Sequence, residues 1–166
     1  MIDENKSSIT FERVYESPFA PNDPEIKKAN ILLLPYEDFR EGVEYCFTEY
    51  AMEFLQYLRT NSDDRVIADI AISDEKYCAI EMHSLLLDVG IFIATNVVLS
   101  AAVNILSSFI YDKIKSMHEK RENVNVRVEI IVQNENGASK SIKYDGLASD
   151  FDAVKSTVEK IIDDEH

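Results

Sequence analysis

The chain has 166 residues, of which 31 are acidic and 17 basic, giving a formal net charge of -14 and a pI near 4.5. A field of that sign repels phosphate backbones and anionic headgroups, so it argues against nucleic-acid binding and favours a basic protein partner. With 46% hydrophobic residues, 4 Gly and 4 Pro, the composition excludes a disordered or low-complexity chain.

This length suits one domain, residues 1–166, with possible sub-units at 1–84 and 85–166. The first 84 residues carry 18 acidic and 8 basic side chains against 13 and 9 in the rest, so the acidic surface belongs mainly to the front. The opening MIDENKSSIT has no basic stretch followed by an apolar one, which predicts a cytoplasmic protein. Cys46 and Cys78 share no CxxC or metal-ligand spacing and are expected to pack as small hydrophobes.

In chain order, SITFERVYES alternates Ile9, Phe11 and Tyr15 with polar residues and predicts a strand. A turn segment with Pro18, Pro21 and Pro24 follows, and ANILLLP is a short buried strand ending at Pro35. From Pro35 to Thr60, Phe39, Val43, Phe47, Tyr50, Phe54 and Leu58 recur at three-and-four spacing, which predicts an amphipathic helix. Its other side would show Glu37, Asp38, Glu41, Glu44, Glu49 and Glu53, a face suited to docking a basic partner. RVIADIAIS and KYCAIEMH flank Asp74-Glu75 and read as a hairpin.

Ser84, a candidate N-cap, precedes the uncharged run from Val89 to Tyr111. Such a run is long enough to span a bilayer as a helix. Asn96, Ser100, Asn104 and Ser108, spaced three or four apart, would form a polar stripe that is costly in lipid. The basic residues after the run would also export the acidic front half. We therefore expect a helix over 85–120 sheltered by protein. At about 1.5 Å per residue it would reach about 54 Å, well beyond a domain with a radius of gyration of about 15 Å. It would have to break near Ser107-Ser108 or project and pair with a second copy through the polar stripe, making a homo-oligomer.

VNVRVEIIVQ alternates strictly, and Asn136-Gly137 signals a hairpin with both central residues at positive φ. Ser149 and Asp152 form a capping box ahead of Phe151, Val154, Val158, Ile161 and Ile162, a closing helix. The expected class is α+β: antiparallel strands and hairpins with three helices, one long and apolar.

There is no Gly-rich phosphate loop, GxSxG, HExxH or Cys/His cluster, and no cofactor or metal is expected. Asp69 on one strand followed by Glu81 and His83 on the next resembles the metal-binding core of restriction-endonuclease-like nucleases, although His83 stands where Lys is expected. That resemblance implies two carboxylates holding a divalent ion, the weak catalytic candidates of this chain. From Val66 to about residue 163, the VRVEIIV stretch, the NG turn, IKYDG and the closing helix resemble effector-associated constant component modules of bacterial conflict systems. This implies a non-catalytic adaptor of bacterial defence, and the acidic charge suits equally an immunity protein covering a basic toxin. A metal-dependent nuclease and a membrane-anchored component are the alternatives.

Overall fold

The computed structural model describes residues 1–81 and 85–164. Nine strands and four helices occur among the described residues. They are β1 (Ile2–Ser7), α1 (Phe11–Tyr15), β2 (Ile31–Leu34), β3 (Tyr36–Arg40), β4 (Val43–Thr48), α2 (Glu49–Asn61), β5 (Ala68–Ile70), β6 (Ala79–Ile80), β7 (Leu86–Thr95), α3 (Leu99–Ser116), β8 (Asn125–Gln133), β9 (Ser139–Leu147) and α4 (Asp152–Asp164).

A six-stranded sheet runs in the order β1-β9-β8-β7-β2-β5, beside a three-stranded one, β3-β4-β6. The sheets are mixed, a correction to the antiparallel expectation, because β2 pairs with β5, β7 with β8 and β4 with β6 in parallel. Parallel neighbours need a crossover, and α3 supplies it between β7 and β8.

The uncharged run is therefore not one helix. Leu86 to Thr95 is strand, the chain turns at Asn96 to Val98, and α3 starts at Leu99. A central strand buried on both faces reads as a continuous apolar stretch, so periodicity alone hid it. Leu99, Ala102, Val103, Leu106, Phe109, Ile110 and Ile114 of α3 are buried within the chain, which removes the reason for pairing with a second copy. Ser100, Asn104 and Ser108 lie on its exposed side, and Asn96 sits half-buried in the turn before it. Among the described residues no helix is long and apolar enough to cross a membrane.

Strand alternation explains the layering. Leu33, Phe92, Ile130 and Ile142 are consecutive cross-strand partners and form one buried row. Phe92 meets Phe54 of α2 at 5.6 Å between ring centroids, and Phe54 meets Phe109 of α3 at 5.5 Å, so this face is covered by helices. α4 joins them along α3, with Val154, Val158 and Ile161 buried as its periodicity predicts.

The next row, Leu32, Ile93 and Ile131, faces the other way and is also buried. Its cover is the segment after β1. The Phe11 N–H donates to Gln133 Oε1 at 2.7 Å, and Gln133 shares the face of Ile131, so α1 with Phe11 and Val14 lies on that side. The expected strand over SITFERVYES is thus α1, and the strand is the preceding Ile2–Ser7, which pairs with β9. Thr10 caps α1 by accepting from the Arg13 N–H at 3.2 Å.

Three smaller expectations also change. Among the described residues RVIADIAIS and KYCAIEMH do not form the expected hairpin, since β5 joins β2 and β6 joins β4. The β8–β9 hairpin forms, but only Gly137 has positive φ, at 84°, while the Gly137 N–H reaches Asn134 O at 3.1 Å. This is a five-residue loop with glycine in the left-handed position, not a two-residue turn. A 3-10 turn over Ala148–Asp150 leads into α4 in place of the expected capping box.

Candidate functional site: an acidic hairpin standing on a buried aspartate

The largest departure from sequence expectation lies at residues 36–48. The front half of the expected acidic helix is the β3–β4 hairpin, and only Glu49–Asn61 is helical. Arg40 pairs with Val43, leaving Glu41-Gly42 as the turn, and Gly42 takes φ +81° at no steric cost. The same glycine would weaken a helix interior by about 1 kcal/mol relative to alanine.

The hairpin still gathers acidic charge. Glu37, Asp38, Glu41 and Glu44 are all exposed on it, so four of the six expected acidic residues share one element. Glu49 and Glu53 lie apart on α2, where Glu53 pairs with Lys113 of α3 at 2.7 Å. Tyr36 and Phe39 stack at 5.1 Å between centroids, and Arg40 lies over the Phe39 ring at 5.9 Å. Phe39 is half-buried, and Arg40 is the one cation between Tyr36 and Glu44.

Both feet of the hairpin stand on Asp88. Tyr36, the first residue of β3, donates its hydroxyl to Asp88 Oδ1 at 2.7 Å. Thr48, the last of β4, donates Oγ1 to the Asp88 backbone carbonyl at 2.5 Å, and the same oxygen accepts the Ala51 N–H at 3.0 Å to cap α2. Asp88 can meet both because β7 bulges there: Asp88 pairs with Arg127 and Gly90 with Val128, leaving Val89 as the extra residue. The Gly90 N–H then turns back to Asp88 Oδ1 at 3.0 Å.

Asp88 is fully buried. Its Oδ2 has no hydrogen-bond partner among the described residues, and the nearest cation, Arg127 Nη1, is 3.7 Å away. Burial raises the Asp88 carboxyl above the ordinary carboxylate range, and the Tyr36 hydroxyl, Arg127 and the Gly90 N–H oppose the rise only in part. Burial, then the neighbouring Asp88 charge, drives the Tyr36 phenol well above its ordinary value. In this geometry the Tyr36 hydroxyl is the donor and Asp88 Oδ1 the acceptor, a bond that ties β3 to β7.

Beside this anchor the uncovered end of the second sheet face holds a cavity of about 550 Å³ lined by Tyr36, Ile91, Arg127, Glu129, Lys143 and Asp145 among others. Arg127 Nε reaches Asp145 Oδ2 only at 3.4 Å, and Glu129 accepts from the Ser141 hydroxyl at 2.8 Å.

The two candidate nuclease carboxylates belong to different sheets. Asp69, on the edge strand β5, pairs with Arg59 at 3.2 Å and accepts its neighbour Ile70 N–H at 2.8 Å. Glu81 follows β6, in the other sheet, and His83 lies outside the described residues. Among the described residues no group of three His, Cys, Asp or Glu side chains is placed to hold a metal ion.

Tyr36, Asp88 and Arg127 escaped sequence reading. The available signal was Asp88 itself, a single charge inside the strand-length apolar stretch LLDVGIF, next to a glycine. Compared with protein-family models, curated proteins and solved structures, the chain finds no match.

Proposed function

We propose that this chain is a non-catalytic protein-interaction module that presents the β3–β4 hairpin to a basic surface of another protein. The observation that carries this reading is four exposed carboxylates on a single hairpin that also carries Phe39 and whose two feet hydrogen-bond to the buried Asp88. Anchoring at both ends lowers the ordering cost of docking, and the carboxylates steer a cationic partner and fix its register. Phe39 supplies the apolar centre that charge alone lacks. The hydrogen bond from Tyr36 to the buried Asp88 supports the anchoring of the hairpin.

The wider role is an adaptor of a bacterial conflict system, or an immunity protein covering a basic toxin. This wider role rests on the sequence resemblance from Val66 to about residue 163 and on the acidic charge. Affinity capture from the native host with the wild-type chain and with Glu41→Lys/Glu44→Lys tests the interaction. A specific basic protein retained by the first and lost by the second is expected. If every recovered partner stays bound to the charge-reversed hairpin, the proposal fails.

A further inference from the structure

Cys46 and Cys78, far apart in the sequence, meet across the parallel β4–β6 pair. The register joins Phe47 to Ala79 and Thr48 to Ile80, so one step earlier it sets Cys46 opposite Cys78. The Phe47 N–H donates to the Cys78 carbonyl at 2.9 Å, which fixes the two backbones at that step. Residues opposite one another in a sheet point to the same face. Neighbouring strands lie about 4.8 Å apart, inside the roughly 4.4–6.8 Å between Cα atoms that a disulfide bridges. Both thiols are free in the structure.

We infer that Cys46 and Cys78 form an intramolecular disulfide when the protein meets a peroxide. Their exposures differ in the way a two-step oxidation requires: Cys78 is half-buried and reachable, whereas Cys46 is buried. Burial pushes the Cys46 thiol up, with Cys78 the next contributor, so Cys46 alone is a poor nucleophile toward a solvent oxidant. The Cys78 thiolate attacks hydrogen peroxide, breaking the O–O bond, and becomes a sulfenic acid as hydroxide leaves and takes up a proton to form water. The Cys46 sulfur then attacks the Cys78 sulfur, the S–O bond breaks, and the Cys46 proton leaves with that oxygen as a second water. Two thiols lose two electrons, which the peroxide accepts.

The bond would tie β6 to the foot of the acidic hairpin, because Cys46 is also the β3 partner of Tyr36, whose hydroxyl holds Asp88. It rests on the strand register alone and not on the proposed docking role.

The full chain is treated with hydrogen peroxide under native conditions, alkylated, digested and mapped by mass spectrometry. Oxidation of Met1, which is 84% exposed, reports that oxidant was sufficient. Expected is a fall from two free thiols per chain to none, a peptide carrying Cys46 linked to one carrying Cys78 in a species that stays monomeric without reductant, and full reversal by dithiothreitol. In Cys46→Ser the reaction should stop at Cys78 sulfenic acid, trapped by dimedone. Both thiols still alkylated after Met1 has oxidised, a disulfide found only between chains, or Cys78 carried to sulfinic acid with no linked peptide would each overturn the inference.

Discussion

Asp88 and Gly90 form one device, since the bulge that turns the carboxylate toward Tyr36 places Gly90 at φ +89°. A Cβ added there would meet only Ala51 Cβ at 3.8 Å, an ordinary contact. Gly90→Ala therefore costs backbone strain without a clash, about 1–2 kcal/mol, read as a lower urea midpoint with an unchanged slope. A neutral substitution would show that the bulge relaxes. For Asp88 the sign follows from its raised pKa. The unfolded chain releases this proton near 3.8, while the folded chain keeps it to higher pH. The buried charge is thus no burden below 3.8 and weakens the fold as pH rises through the raised value. Asn at this position still accepts from Tyr36 and Gly90 through Oδ1 and never ionises. The stability of the wild type relative to Asp88→Asn should decline as pH climbs above 4, in paired urea titrations. A difference that stays flat or grows with pH would mean that Arg127 compensates the charge fully.

At the scale of elements, the hairpin separates charge from stability. Glu41 and Glu44 are exposed, and the hydrogen bond of Glu44 goes to its own neighbour on β4, Tyr45, rather than to another element. Glu41→Lys/Glu44→Lys should therefore not lower the thermal midpoint, and can raise it because the net charge falls in magnitude from -14 to -10, while abolishing partner capture. A large fall in midpoint would place the two carboxylates in the fold instead. The closing helix, the buried ILLL strand and the β8–β9 hairpin were legible because each shows one clear period or turn signal. Residues 36–48 were not. Phe39, Val43 and Phe47 fall four apart, which satisfies a helical period and is also met by a hairpin with Phe39 on one arm, Val43 and Phe47 on the other and a turn between. Gly42 was the cue that distinguishes the two. Likewise β7 and α3 fused into one apolar run because the turn between them, Asn96-Val97-Val98, carries neither Gly nor Pro. The acidic cluster survived this misreading since exposed carboxylates avoid the core in either conformation. The Asp88 anchor did not emerge, because pairing with Tyr36 and Thr48 depends on a register that sequence periodicity does not specify.

Over the whole molecule, a net charge of -14 acts against the compact state through self-repulsion. The exposed ion pairs offset little of it. Lys28–Glu25 and Arg65–Asp63 join near neighbours in the chain and are open to solvent, so their geometry persists at low cost whether or not the domain is folded tightly. Raising sodium chloride from about 0.01 M to about 0.15 M shortens the screening length from about 30 Å to about 8 Å. That reduces repulsion between distant carboxylates much more than attraction within a pair under 4 Å. The thermal midpoint should therefore rise with salt over this range, where ion-specific effects on burial are small. The same screening should slow association with a basic partner, because the long-range field that strains the fold is the one that steers the encounter. A midpoint that falls with salt would mean that the surface pairs, Lys113–Glu53 foremost, outweigh the global repulsion.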